Sequence, residues 1–482
     1  MRKGFHRWRP ALCALGLAGA AWAQAPETDP QSLLLEDAIG QALQHNRDLA
    51  KGALGLQGHR IAGDQARESA RGIQIVPEGA AGAESDGETW RAGLRAEATG
   101  AYGTRMAASA AARQIAVAGA PDLRREEVKV EISQPLFRNF GPLAQNESIT
   151  TANETLLAAR RAWERDRSSL AVRVVETYEG LIYLRRQIES DEAFAVRMER
   201  AWALADARER QGKATRTEVL RMDLQRGEAA ARLETGRSQL AVQFQEFADL
   251  LGLPLESRFL LTPPPLLALD VGGSEQALAV ALDERPDYAQ ALQDVATGDR
   301  RLRLARRNLL PDLKLSARQT TFGEGEEWSD AGRLDEEDWF VGLTADMNLN
   351  LRGAHLDVAR AGVDAEAGRQ TAEIVRHRLA LEVNSAVAAY RRTRAELELA
   401  ARNRELAANR AALARALFEA GRAAADSVSD AESDGIAAEL GELRARRDAS
   451  VAAYRLLHVL GTLVPAPREI LRAENGKTTH EN

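Results

Sequence analysis

The sequence predicts an α+β membrane protein made of two tandem repeats, each with a short helix, a strand pair and a long helical hairpin. Three observations predict it: an internal repeat, two long stretches without proline, and segments in which apolar and polar residues alternate. Beyond the first two dozen residues, no run approaches the roughly 18 continuous apolar residues that a membrane helix needs. Any membrane crossing is therefore expected to be made by strands.

Residues 1–23 are predicted to be a secretory signal peptide. Basic residues precede an apolar stretch, residues 11–23, which ends in the cleavage motif Ala21-Trp22-Ala23. The only cysteine, Cys13, lies in this segment, so the mature chain would have no disulfide, thiol nucleophile or cysteine-ligated metal. A lipoprotein is disfavoured because lipidation needs small residues before the cysteine, and Leu12 stands there.

Composition and charge exclude further classes of protein. The chain has 482 residues, 45% hydrophobic and 28% charged, so it can bury large cores and is neither disordered nor a multi-span helical membrane protein. Removal of residues 1–23 takes away four positive charges and moves the formal net charge from -7 to -11. Nucleic acid is therefore not an expected partner.

An internal repeat divides the chain. Residues 152–252 align without a gap on residues 361–461, at an offset of 209 positions. Upstream, residues 38–48 match residues 277–287 at an offset of 239. The first copy therefore carries about thirty extra residues between its two matched segments, and the Gly/Ala-rich stretch 79–125 is the expected place.

The repeat sets the expected domain boundaries. The first strand of repeat 1 begins either at Pro77, as the repeat suggests, or at Arg91, where the alternation is cleaner. The predicted domains are a signal peptide, 1–23; repeat 1, 24–262, with a strand pair at about 73–135 and a helical hairpin at about 142–252; a linker, 263–274; repeat 2, 275–465, with a strand pair at about 312–351 and a hairpin at about 354–461; and a polar C-terminal tail, 466–482.

Each repeat is predicted to contain a very long helical hairpin. No proline occurs between Pro142 and Pro254 or between Pro311 and Pro465, and both windows are rich in strong helix formers. A continuous helix from Pro142 to Gly212 would be about 100 Å long at ~1.5 Å per residue. Apolar residues recur in steps of three and four, as in coiled-coil seams, at Leu170, Val174, Thr177, Leu181, Leu184 and Ile188, and at Leu379, Val383, Ala386, Val387 and Tyr390.

Strand signals lie between the helices. Residues 341–351 alternate between apolar and polar types, and residues 91–98 and 128–133 do so over shorter spans. A transmembrane barrel strand is about ten residues long, apolar toward lipid and polar toward the lumen. A soluble, half-buried sheet gives the same pattern, but the signal peptide, the missing cysteines and the flanking long helices favour the membrane barrel.

Several motifs, in order and doubled, resemble the TolC-type outer-membrane efflux protein family. Residues 35–46 resemble the family's opening helix, and Arg285-Pro286-Asp287 resembles the start of its second copy. Ser133-Gln134-Pro135-Leu136-Phe137, followed by Phe140-Gly141, resembles the strand-to-helix exit of the first copy. The second exit, residues 348–353, lacks the usual proline. The resemblance covers roughly residues 33–465.

The resemblance implies a homotrimer in which each chain adds four strands to one twelve-stranded transmembrane β-barrel and four helical segments to one α-helical coiled-coil periplasmic tunnel. It implies a passive duct in the cell outer membrane, serving a tripartite efflux or type I secretion system. The implied partners are a periplasmic adaptor (membrane fusion protein), an inner-membrane transporter and outer-membrane lipid; no cofactor is implied. Independently, four strands leave two open edges that hydrocarbon does not tolerate, so other copies must close the sheet.

The tips of the hairpins are where the resemblance implies adaptor contacts. Gly212 and Gly421 are predicted to mark the turns at which each hairpin doubles back. The predicted adaptor-contacting residues are Gly212, Lys213, Gly421 and Arg422.

The resemblance also implies a lock that holds the tip closed. In the family, a Thr and an Asp of the first copy bond an Arg and a Tyr of the second. Here Thr217 and Glu218 take the first-copy positions, whereas Phe418 and Ala423 take the second-copy positions, so the hydroxyl and the guanidinium are both missing. Arg422 is one residue early, a rotation of about 100° on a helix. We expect either a looser closed state or a pair between Arg422 and Glu218.

Acidic residues follow the second turn. Asp426, Asp430 and Asp434 lie at i, i+4 and i+8 and therefore on one helix face. Asp430 matches one of the family's two aperture acids, and Ser427 takes the place of the other. Repeated by threefold symmetry, such acids would ring a pore mouth and favour cations. An ordinary solvated helix face is the alternative for this stripe.

Two other functions were weighed against the channel. An enzyme is disfavoured because the chain has no HExxH, no GxSxG and no P-loop motif, and its histidines show no ligand-like spacing. A periplasmic adaptor or coiled-coil scaffold would explain the signal peptide and the long helices. Such proteins usually have one helical hairpin among soluble β modules, whereas this chain repeats both strand pair and hairpin.

Overall fold

The computed structural model of the chain describes residues 31–84, 87–117, 121–212, 215–347, 351–420, 422 and 425–464. The predicted signal peptide and the polar tail lie outside these residues. The first half contains β1 Gln31–Leu33, α1 Leu35–His45, α2 Arg47–Arg71, β2 Gln74–Glu84, β3 Gly87–Thr99, β4 Arg105–Val117, β5 Leu123–Pro135, α3 Pro142–Gln145, α4 Glu147–Arg210, α5 Arg216–Leu250 and β6 Phe259–Leu261. The second half contains α6 Ser274–Glu284, α7 Pro286–Arg307, β7 Asp312–Gly325, α8 Trp328–Ala331, β8 Glu336–Asp346, α9 Arg352–Glu419 and α10 Ala425–Leu460.

Long helices form most of the fold. α4 has 64 residues and α9 has 68, each about 100 Å long at ~1.5 Å per residue. Their partners are shorter: α2 and α5 both contact α4, and α7 and α10 both contact α9. Each long helix is therefore accompanied by two shorter helices, one on either side of a junction near its middle.

The predicted seam residues of α4 lie on its buried side. Leu170, Val174 and Leu181 are at most 1% exposed, and they pack with Phe247 of α5 and with α1 in one hydrophobic cluster. Leu379 and Val383 of α9 form a second cluster with α6 and α10. Burial of each large apolar side chain contributes roughly 1.5–3 kcal/mol, so these clusters hold the helices together at mid-length.

The strands form one antiparallel sheet of six, in the order β2-β3-β4-β5-β7-β8. The predicted count of four strands per chain is wrong, because residues 74–135 contain four strands where the sequence predicted one pair. Both alternatives for the first strand prove to be parts of separate strands: Pro77 lies in β2 and Arg91 in β3. The extra residues of the first copy thus form a further hairpin.

Three smaller features complete the fold. β1 and β6 form a parallel two-stranded sheet, which brings the start of repeat 1 beside the segment that precedes the linker. In the second copy, β8 ends at Asp346, earlier than the alternation up to residue 351 predicted, and residues 348–350 are outside the described part of the chain. β5 pairs with β7, so the sheet is continuous across the two copies.

Candidate pore-forming sheet and helix tips

One face of the six-stranded sheet is apolar. Alternate residues of a strand point to opposite faces, and residues paired across strands share a face. Large apolar side chains on this face are exposed: Trp339 is 75% exposed, Ile75 64% and Leu343 59%. An apolar patch of this extent indicates contact with lipid or protein rather than water. One in-register row of this face consists of Ala98, Met106, Ile132, Ala317 and Val341.

The opposite face of the sheet is charged. Ion pairs on this side join residues of one strand, of adjacent strands or of strands two positions apart, and their side chains remain partly exposed. Such pairs contribute little stability individually, but they line a surface that water can wet. The pairs are Arg95 with Glu78 at 2.9 Å, Arg91 with Glu127 at 3.5 Å, Arg125 with Glu324 at 2.7 Å and Lys129 with Glu131 at 2.8 Å.

Aromatic side chains lie at both ends of the sheet. At the loop end, the rings of Trp90 and Trp328 are 5.3 Å apart. At the end nearest the helices, the rings of Tyr102 and Phe140 are 5.9 Å apart. Trp90 is separated from Thr99, where β3 ends at the turn that holds Tyr102, by about 30 Å of extended chain, or about 21 Å along the normal for a strand tilted by ~45°. This height is close to the apolar band of about 25 Å on outer-membrane barrels, and Trp and Tyr are typical of the two membrane interfaces.

The sheet has two edges that pair with no strand in the described part of the chain. β2 pairs only with β3, and β8 pairs only with β7. In lipid, the free N–H and C=O groups of such an edge cost several kcal/mol each. The sheet therefore needs further strands before it can cross a membrane.

The two copies build the same junction at the level of the hydrophobic clusters. Gly252 and Gly461 have φ of 71° and 79°, and each ends a helix against the short helix of its own copy. A Cβ on Gly252 would overlap the carbonyl of His45, and one on Gly461 would lie 3.0 Å from the Glu284 carbonyl oxygen. Both sites thus need glycine for its positive φ and for the close approach.

In each copy, the residue that follows the short helix uses its side chain to bond a carbonyl near the end of the long hairpin's second helix. Asn46 donates from Nδ2 to the carbonyl oxygen of Leu250 at 3.1 Å, and Arg285 donates from Nη1 to that of Val459 at 3.4 Å. Asn46 also accepts from the first amides of α2 and caps that helix. Burial acts against the charge of Arg285, but Asp287 and Glu382 raise its pKa above the ordinary value.

Buried polar groups join the two copies within the chain. Glu179 of α4 is 6% exposed and bonds Ser450 of α10. Burial raises the pKa of Glu179 above its ordinary value, against the opposing effects of Ser450 and the nearby arginines. Ser168 of α4 lies 2.7 Å from Nδ1 of His458 in α10, and burial together with Arg285 lowers the pKa of His458.

The tip of the first hairpin is a short turn between α4 and α5. Gly212 has φ of 69°, which agrees with its predicted place at the turn, and its amide donates to the Glu209 carbonyl at 2.8 Å. Lys213 is outside the described residues. Thr217 and Glu218 lie in the first turn of α5; Thr217 is exposed, and the side chain of Glu218 is outside the described part.

The tip of the second hairpin lies between α9 and α10. Gly421 and Ala423 are outside the described residues, as is the side chain of Phe418. Arg422 is exposed and lies in the turn, where its amide donates to the Leu417 carbonyl at 2.8 Å. The predicted 100° rotation of Arg422 on a helix is wrong, because α9 ends at Glu419 and α10 begins at Ala425.

The predicted acidic stripe lies in the first turns of α10. Asp430 and Ser427 are exposed, whereas the side chain of Asp426 is outside the described residues. Asp434 forms an ion pair with Arg410 of α9, and Arg415 pairs with Glu432 at 3.0 Å. These pairs were not predicted from the sequence, although facing charges on an antiparallel hairpin could have indicated them. Both Asp430 and Asp434 are exposed, and within the described residues the ion pair of the stripe is formed by Asp434.

The described residues hold neither a cluster of metal ligands nor a helix that could span a membrane. No group of three or more His, Cys, Asp or Glu side chains there is arranged to hold a metal ion. No described helix is both long and apolar enough to cross a membrane.

Comparison with known proteins agrees with this geometry. Residues 277–462 match the outer membrane efflux protein family. No curated protein matched the sequence. Among solved structures, the chain is similar to the Campylobacter jejuni CmeC outer membrane channel, with 13% identity, a TM-score of 0.68 and coverage of 92% of this chain and 89% of that one.

Two further channels show a comparable similarity. The Vibrio cholerae outer membrane protein VceC is 16% identical, with a TM-score of 0.65 over 89% of this chain and 96% of that one. The Neisseria gonorrhoeae MtrE outer membrane channel, solved in its open state, is 17% identical, with a TM-score of 0.60 over 89% of each chain. Nothing in these comparisons supports the adaptor alternative. The family match over residues 277–462 and the shared fold agree with the sequence motifs, in which the chain resembles TolC-type outer-membrane efflux proteins.

Proposed function

We propose that this protein is the outer-membrane channel of a tripartite efflux or type I secretion system. The observation that carries the proposal is a two-faced sheet, apolar on one side and charged on the other, joined directly to helices about 100 Å long. The sheet would cross the outer membrane while the helices extend into the periplasm. The chain would thus act as a passive duct for solutes delivered by a pump.

The duct is proposed to be a homotrimer. The free edges of β2 and β8 must find partners in lipid, and a second copy offers a complementary edge. β2 and β8 run in opposite directions, so β8 of one copy can pair with β2 of the next in the same antiparallel manner. Threefold repetition would close the sheet around the charged face and surround the lumen with helices.

The proposed partners follow from the two ends of the molecule. The apolar sheet face would contact outer-membrane lipid. The helix tips, with Gly212, Lys213, Gly421 and Arg422, would contact a periplasmic adaptor, which connects the duct to an inner-membrane transporter. Nucleic acid is not a proposed partner of this acidic chain, and no catalytic or cofactor role is assigned to it.

The aperture is proposed to lie at the tips. Asp430, with Asp426 and Ser427, would ring the pore mouth, and Thr217, Glu218 and Arg422 would take part in gating. Asp430 is exposed just inside the start of α10. Three such carboxylates around one axis would attract cations.

Cell fractionation tests the proposed function. The protein is expected in the outer-membrane fraction, and the native mass of the detergent-extracted particle is expected to be three times the chain mass. The helical part should be accessible to periplasmic protease only after the outer membrane is opened. A monomer or dimer in the soluble periplasmic fraction would reject the channel and revive the scaffold alternative.

Single-channel recording tests the aperture. Asp430→Asn is expected to lower cation selectivity and weaken block by multivalent cations, because it removes three exposed charges from the ring. Asp434→Asn is the matched control, since Arg410 already neutralises that carboxylate. Equal effects of the two substitutions would place the selectivity ring elsewhere.

A further inference from the structure

The hairpin of β3 and β4 occupies the full height of the sheet. Both strands have 13 residues, as does β5, and they pair along their length with β2 and β5. The pairing runs from Thr99 with Arg105 near the helices to Trp90 with Gln114 near the loops. The hairpin is therefore a full member of the sheet rather than a short ornament on one end.

The turn of this hairpin is fixed at the end of the sheet nearest the helices. The Gly141 amide donates to the Tyr102 carbonyl at 3.1 Å, and Nε2 of Gln134 donates to the same oxygen at 3.2 Å. Gly103 has φ of 91°, and a Cβ there would lie 2.7 Å from Cγ of Pro135. The chain thus returns to the helical side of the membrane between β3 and β4, next to the exit of β5.

The hairpin keeps the two-faced pattern of its neighbours. On β3, Trp90, Leu94 and Ala96 share the apolar face with Val128 and Val130 of β5. The charged face of the hairpin carries Arg91, Arg95, Arg105 and Arg113; Arg91 pairs with Glu127 of β5, and Arg95 pairs with Glu78 of β2. A hairpin projecting into water beyond the membrane would have no reason to keep a continuous apolar side.

From these observations we infer that each chain contributes three membrane hairpins, so that the closed barrel of the trimer has eighteen strands instead of twelve. The inference rests on the proposed channel function. The partner surface of each chain is the free edge of β8, which receives the free edge of β2 of a second copy. Six strands keep the alternation of directions at every seam, as an even number must.

The added hairpin widens the pore at the outer membrane. Strands about 4.8 Å apart, tilted by about 40°, give a barrel about 36 Å across for eighteen strands and about 24 Å across for twelve, measured between strand axes. A ring of twelve helices spaced about 10 Å apart has a similar diameter of about 38 Å. The barrel would thus continue the helical tunnel without a step, and it would admit bulkier cargo than a twelve-stranded barrel.

Cryo-electron microscopy of the wild-type oligomer in lipid nanodiscs counts the strands directly. Eighteen strands around the ring are expected, with β3 and β4 at the membrane level. A trimer with twelve strands, and with β3 and β4 outside the ring, would overturn this inference alone. A particle that is not an outer-membrane oligomer would reject the proposed function as well.

Thiol labelling of intact cells tests the hairpin independently, since the mature chain is predicted to have no cysteine. Ala111→Cys on the charged face of β4 is expected to react with a membrane-impermeant methanethiosulfonate roughly tenfold faster than Ala110→Cys on the apolar face. Ser316→Cys and Ala317→Cys provide the same comparison on β7. If β7 alternates in reactivity while both β4 cysteines react rapidly, the hairpin lies in water and the inference fails.

Discussion

Two buried tyrosines show how single hydroxyl groups fix the middle of the molecule. The Tyr178 hydroxyl oxygen lies 2.7 Å from the Leu33 carbonyl oxygen and accepts from the Thr262 amide at 3.1 Å. It therefore fastens both strands of the β1–β6 sheet to α4. Tyr390 acts similarly in the second copy, where its hydroxyl accepts from the Leu269 amide at 2.9 Å.

Removal of the Tyr178 hydroxyl is expected to destabilise the folded protein. Tyr178→Phe should lower the free energy of unfolding by roughly 1–3 kcal/mol, because buried backbone groups lose their partner. Tyr183→Phe is the control on the same helix, since its ring contact with Arg447 does not use the hydroxyl. Thermal unfolding followed by circular dichroism measures both. Equal melting temperatures for the two variants would contradict this role of Tyr178.

Residue-level prediction from the sequence succeeded where spacing alone decides burial. Leu170, Val174 and Leu181 follow helical spacing, and all three are buried. The spacing also selected Thr177, which is only half-buried and bonds its own helix through the Arg173 carbonyl. The adjacent Tyr178 faces the core and packs against Phe247. It also lies at helical spacing, four residues after Val174 and three before Leu181, so spacing alone could not decide between it and Thr177.

Among the elements, the contact between α4 and α10 is sensitive to protonation. Glu179 has a raised pKa because burial disfavours its charged form, although Ser450, Arg446 and Arg447 act in the opposite direction. A raised carboxyl pKa means that the folded state holds the proton more tightly than the unfolded state. Its contribution to stability is therefore present below the ordinary carboxyl pKa of about 4.3 and is lost as pH rises through the folded value.

Glu179→Gln should flatten this dependence. The amide is uncharged at every pH and keeps a group that can bond Ser450, so the variant should be more stable than wild type at neutral pH and similar to it in acid. Melting temperatures between pH 4 and pH 8 measure the difference. Glu189→Gln is the exposed control on the same helix. If the melting temperatures of wild type and Glu179→Gln changed in parallel with pH, the Glu179 carboxylate would be excluded as the source of the pH dependence.

The β3–β4 hairpin was not predicted from the sequence, and its residues show why. The first copy is about thirty residues longer than the second between their matched segments, which is the length of one added hairpin. Only one strand pair was nevertheless predicted in the first copy. β4 reads RMAASAAARQIAV, and alanine occurs on both of its faces, so the period-two contrast is weak. In β8, by contrast, Val341, Leu343 and Ala345 alternate with polar or small residues, and the strand was predicted.

At the scale of the whole molecule, the two copies are joined by more than the linker. The β5–β7 pairing, the Ser168–His458 contact and the 2.7 Å ion pair between Glu176 and Arg455 all cross from one copy to the other. The linker itself is held by side chains of the second hairpin: Arg391 donates to the Gly272 carbonyl at 3.1 Å, and Arg446 to that of Pro264 at 3.3 Å.

A cut in the linker is therefore expected to leave the particle intact. A protease site inserted between Gly272 and Gly273, both exposed, should be cleavable in the assembled protein. The two fragments should still migrate together under native conditions and separate only on denaturation. Separation of the fragments before the helices melt would show that the linker, not the packing between copies, holds the halves together.

The repeat was visible in the sequence, and the family resemblance carried by the motifs agrees with the match over residues 277–462 and with the shared fold. The number of strands and the ion pair of Asp434 were not visible, because both depend on partners that alternation and spacing do not specify. The number of chains in the assembly is likewise not visible in the sequence. Closure of the sheet requires edges from different copies, and a single chain displays that need only as the unpaired sides of β2 and β8.

These unpaired sides have a consequence for biogenesis. In the proposed trimer, each newly exported chain would carry two open strand edges and a broad apolar sheet surface through an aqueous compartment until three copies meet. Such surfaces are templates for aggregation. Assembly should accordingly accelerate steeply with chain concentration, and chains that outnumber the available membrane insertion sites should depend on periplasmic chaperones or be degraded.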